Sequence, residues 1–89
     1  MMAMKLNEHF IVHVDDGETL LVPTAEAGFS GIVRGNRTLG AILDLLLSEV
    51  TEEEIIFALS DRYDADEGVI EQDVRTTLQK LRSIGAIDE

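Results

Sequence analysis

The hydrophobic pattern of this chain changes period once, near residue 36, and that change constrains the fold more than any other feature. Upstream, apolar residues recur at every second position, the repeat of a half-buried strand. Downstream they recur every three or four, the repeat of an amphipathic helix. One switch in 89 residues implies a sheet made first and helices laid on it afterwards, an α+β order rather than alternating β and α units.

"HFIVHVDDGETLLV" reads as a hairpin with Phe10, Val12 and Val14 on one face. Asp15-Asp16-Gly17 is the turn, with Gly17 free to take positive φ. A three-residue loop puts Leu20 and Val22 on the same face as Phe10, Val12 and Val14, whereas a two-residue Asp16-Gly17 turn puts Leu21 there. The first is preferred because it buries two residues instead of one. Pro23 ends the second strand, since it donates no ladder hydrogen bond. After the loop "TAEAG", the stretch "FSGIVR", residues 29–34, is a short third strand.

Three helices follow. "NRTLGAILDLLLSE" starts at Asn36 as N-cap, with Leu39, Ile42, Leu43 and Leu46 as its core stripe. Gly40 weakens that helix by about 1 kcal/mol relative to alanine, which points to close packing there. In "VTEEEIIFALSDRY", Thr51 and Glu54 form a capping box and Val50 and Ile55 a hydrophobic staple. Three acids in the first turn complement the helix dipole, and Ile55, Ile56, Leu59 and Tyr63 face inward. "DADEGVIEQDVRTTLQKLRSIGAI" is the longest helix, capped by Asp64 or Asp66 and closed by Gly85 at C′. Its expected core stripe is Ile70, Val74, Thr77, Leu81 and Ile84. Glu71, Arg75, Leu78 and Arg82 form a mixed row beside it that either faces solvent or lines a groove.

Seven Lys and Arg stand against 18 Asp and Glu, a net charge of −11. Such a surface repels nucleic-acid phosphates and anionic membranes, and suits a cationic or mixed-charge peptide or protein partner. There is no cysteine, so disulfides and thiolate metal sites are excluded. The N-terminus has no signal-peptide core, and the longest apolar run, "LGAILDLLL", is broken by Asp44 and too short to span a bilayer. The chain reads as one cytoplasmic domain, residues 1–89, with 1–7 a flexible tail.

Catalytic chemistry finds no support. His9 and His13 on one strand lie about 13 Å apart and cannot share a zinc ion. The acids of "TEEE" are accounted for by the cap and the dipole. The serines sit in no nucleophile elbow, and "GNRTLG" lacks the spacing and lysine of a phosphate loop. No enzyme activity, metal or cofactor is expected.

The order of these pieces resembles the PqqD family, a group of RiPP recognition elements (RiPP: ribosomally made, post-translationally modified peptide). A hairpin leads to "FSGIVRGN", and three helices end in "LRSIGAI". The resemblance runs from about His9 to Ile87. It rests on Asn36 heading the first helix, Ile42 and Leu43 within it, and "TEEEI" opening the second. In the third it rests on "QDVRTTLQKL", with Asp73, Leu78 and Leu81, followed by Gly85. Leu43 stands where the family often shows an aromatic.

The resemblance implies a winged-helix-like domain, with an N-terminal three-stranded antiparallel sheet followed by a three-helix bundle. It implies a precursor's leader peptide added as a strand to the sheet edge beside the last helix. The complex then presents that peptide to a modifying enzyme, often a radical SAM protein. The peptide-binding residues expected on this basis are Ser30, Gly31, Ile32, Val33 and Arg34 on the strand, and Glu71, Arg75, Leu78 and Arg82 on the helix. Gly31 and Gly35 would let a second backbone approach; Arg34, Arg75 and Arg82 would meet acids; Val33 and Leu78 would receive an apolar anchor. Two other readings stay open: a winged-helix nucleic-acid binder, which the net charge opposes, and a homodimer formed through the same open edge.

Overall fold

The computed structural model describes residues 3–28, 31–64 and 66–89. The hairpin comprises β2 (Phe10–Asp15) and β3 (Glu18–Pro23), preceded by a two-residue strand β1 (Lys5–Leu6). Asp15 pairs with Glu18, so the loop is the two-residue Asp16-Gly17. Both loop residues have positive φ, 51° and 82°, the requirement of the turn that matches strand twist. This overturns the preferred three-residue loop. Val12 stands opposite Leu21 and Val14 opposite Thr19. The inward residues of β3 are therefore Thr19 and Leu21, both buried, not Leu20 and Val22. The turn's backbone geometry outweighed the extra apolar side chain.

After a 3-10 turn at Ala25–Ala27 comes β4 (Val33–Gly35), antiparallel to β3, with Leu21 opposite Val33 and Thr19 opposite Gly35. Among the described residues the strand order is β2-β3-β4, so β4 is an edge. The expected third strand began earlier; of it, Phe29 and Ser30 lie outside the described residues. Gly31 has φ 133°, a conformation that L side chains rarely adopt, and the extended pairing begins only beyond it.

The helices α1 (Arg37–Leu45), α2 (Glu52–Arg62) and α3 (Glu67–Ser83) follow in the expected order. Asn36 Oδ1 accepts from the Thr38 and Leu39 amides, and the Thr51–Glu54 capping box is complete in both directions. Asp66 occupies the N-cap position of α3, although its carboxylate makes no cap bond. At the far end the Gly85 amide donates to Arg82 O and the Ala86 amide to Leu81 O. These are the paired hydrogen bonds of a left-handed glycine cap, with Gly85 at φ 78°. The core joins Phe10, Leu21 and Val33 of the sheet to Ile42 and Leu43 of α1 and its C-cap Leu46, Ile55 and Leu59 of α2, and Ile70, Val74, Leu78 and Leu81 of α3.

Residues 4–7 depart from the expected flexible tail. Met4 and Leu6 are buried. The Met4 amide donates to Val50 O, the Leu6 amide to Leu46 O, and the Asn7 amide to Ala86 O. A short C-terminal strand β5 (Ile87–Asp88) pairs antiparallel with β1. The segment thus satisfies the free carbonyl at the end of α1 and ties both ends of the chain to the core.

Candidate peptide-binding groove

The open side of β4 faces α3 across a groove of about 340 Å³. Val33, Arg34 and Gly35 form one wall, and Asp73, Thr76, Thr77 and Lys80 line the other. Among the described residues, β4 pairs only with β3, so its outer margin is available to another extended chain.

Alternation along the strand sends Val33 inward, where it is buried, and Arg34 outward, where it is exposed. Val33 thus belongs to the groove's floor and the core, while Arg34 is the cation on its rim. Ile32, just before the strand, is 53% exposed and adds apolar surface beside the edge. Gly31 is also exposed, and Ser30 lies outside the described residues. Gly35 plays another part than expected. A methyl group there would sit 2.7 Å from Leu39 Cβ, so the space it leaves is filled by the first turn of α1 and not by a guest backbone.

The expected helical residues are not on the groove wall. Leu78 is fully buried and displaces Thr77 from the centre of the core stripe, because the larger apolar side chain gains more from leaving water. It has no surface left to receive a guest. Arg75 bonds Glu71 at 2.6 Å and Glu52 at 3.5 Å, which places this flank of α3 against the start of α2. Arg82 pairs with Glu89 at 2.7 Å and reaches the Met4 sulfur, near the chain ends. The opposite flank, Asp73, Thr76, Thr77 and Lys80, faces β4. It carries the same amphipathic signature in sequence, one step to the other side of the core stripe.

The groove continues into a smaller cavity of about 190 Å³. Thr38 and Asp73 line both spaces. Leu59, Tyr63, Val69 and Ile70 make the rest of the smaller one, so an apolar socket adjoins the groove at its Asp73 end. Among the described residues neither Arg34 nor Lys80 forms a salt bridge, whereas Arg75 and Arg82 are both neutralised. The described residues hold no cluster of three or more groups suited to a metal, and none of their helices is long and apolar enough to cross a membrane.

Comparison with known proteins bears on this arrangement. The family profile described as coenzyme PQQ synthesis protein D (PqqD) matches residues 8–87. No curated protein matches the chain significantly. Among solved structures, TbiB1 in complex with the TbiA(beta) leader peptide superposes with a TM-score of 0.77 at 21% identity, covering 94% of each chain. Lasso peptide synthetase B1 complexed with the leader peptide gives 0.76 at 17% identity, covering 97% of this chain and 98% of that one. The PqqD truncation of Methylobacterium extorquens PqqCD, described as a functional, stand-alone RiPP recognition element, gives 0.75 at 21% identity, covering 98% and 89%. At these identities the likeness is one of fold.

Proposed function

The chain belongs to the PqqD family, and on that footing we propose that it is a non-catalytic module that captures the leader segment of a precursor peptide by strand addition to β4. It then presents the peptide, in the cytoplasm, to a modifying enzyme, and the family resemblance supports a radical SAM protein in that role. The observation that carries the reading is the unpaired margin of β4 beside the α3 groove. Two of the three structures compared hold leader peptides on the same fold, which supports a peptide as the occupant.

The energetics assign roles to the parts. Pairing along a three-residue strand gives two or three backbone hydrogen bonds, each contributing about 1 kcal/mol net. Micromolar affinity needs about 8 kcal/mol. Main-chain pairing alone therefore fails to hold a leader, and fills only the sequence-independent part of recognition. The socket formed by Leu59, Tyr63, Val69 and Ile70 supplies apolar burial of about 2 kcal/mol for one side chain. The rim supplies charge.

Titration of the isotopically labelled protein with the leader segment of the precursor encoded beside its gene tests this. Amide shifts concentrated at residues 32–35 and 73–81 are expected. Shifts confined to other surfaces, or none at high micromolar peptide, contradict it.

A further inference from the structure

Resting on the peptide-binding reading, we propose that the groove selects its guest by charge and spacing. The guest carries a carboxylate side chain read by Arg34 and Lys80, about three residues from an apolar side chain seated in the Leu59–Tyr63–Val69–Ile70 socket.

The charge follows from the exceptions to the chain's acidity. With a net charge of −11, the surface as a whole repels acids. Arg34 and Lys80 line the groove, and among the described residues no acidic side chain neutralises either of them. Two such cations on facing walls make a local attractor for a carboxylate, while Asp73, at the mouth of the socket, repels one there. The groove is therefore polarised along its length, and a guest is sorted by where its acid falls.

The spacing follows from geometry. Asp73 marks the socket end, and Lys80 lies seven residues further along α3, about 10 Å at the helical rise. An extended guest covers that distance in about three residues. One residue spans only about 3 Å and five about 17 Å, so a separation of three fits the distance.

Selection of displayed random dodecapeptides on the immobilised full-length protein, with no assumed ligand, is the test. The expected outcome is enrichment of Asp or Glu three positions from a large apolar residue. Replacing that acid by its amide in the best synthetic peptide weakens binding about tenfold at low salt, the combined effect of two exposed pairs, and much less at high salt. The double variant Arg34→Glu, Lys80→Glu selects Lys or Arg at the same position; Arg34→Gln, Lys80→Gln, with circular dichroism confirming the fold, selects neither sign. Enriched peptides that compete for the groove, lose binding in Thr77→Tyr, and show no acid at that spacing overturn the charge-and-spacing rule while leaving the peptide reading intact. Retention of the acid preference in the double variant also overturns the rule. Failure to enrich any peptide sensitive to Thr77→Tyr overturns both.

Discussion

Glycines mark where side chains press against backbone. At Gly40 a methyl group would lie 2.6 Å from the Thr19 hydroxyl oxygen, and Thr19 is buried. Alanine is the better helix former by about 1 kcal/mol, but overpacking costs about 1–3 kcal/mol. We expect Gly40→Ala to destabilise by about 1 kcal/mol in urea unfolding, and Thr19→Ala in the same chain to recover that loss by clearing the space. A Gly40→Ala variant more stable than the parent would show that Thr19 moves freely. At Gly35 the obstacle is Leu39 Cβ, which no rotamer change removes, so Gly35→Ala should cost more, about 2 kcal/mol. The first tight contact was legible, because a glycine in a leucine-rich helix calls for a close neighbour. The second was not, since residues four apart across a strand–helix junction have no fixed geometry in sequence.

At the scale of the element, the capping residues Asn36 and Thr51 and the terminator Gly85 were readable because their chemistry is local. The flank of α3 that forms the groove was not. A core stripe has two sides, and only the position of α2 decides which meets the sheet. The stripe chosen from spacing put Thr77 in the core and Leu78 outside; the fold reverses the two. This makes a discriminating prediction. Arg75→Ala and Arg82→Ala should leave peptide affinity within about twofold and lower stability by no more than about 1 kcal/mol, since each pair is partly exposed. Thr77→Tyr, which fills the groove, should weaken a bound leader peptide more than tenfold in fluorescence polarisation with the unfolding midpoint little changed. Equal losses in all three variants would mean that the peptide spans both flanks of α3.

Across the whole molecule, the least legible feature is the clasp of β1 on β5. Two-residue strands carry no periodicity, and their partners lie at opposite ends of the chain. Yet Met4 is 3% exposed, and truncating a buried methionine to alanine costs about 2–5 kcal/mol. Met4→Ala should therefore lower the urea midpoint markedly without altering the groove, which lies between β4 and α3 on other residues. An unchanged midpoint would return residues 4–7 to the flexible tail that composition suggests. The two-sided sheet leaves a sharper question for function, because among the described residues β2 is an edge as well as β4, and either margin offers main-chain groups to a guest. Isotope-filtered NOE spectroscopy of the labelled protein with its bound leader peptide decides between them. Cross-strand contacts from the peptide backbone to residues 33–35, with side-chain contacts to Thr77 and Lys80, are the result this account predicts; contacts along Phe10–Asp15, or a peptide bound as a helix, would contradict it.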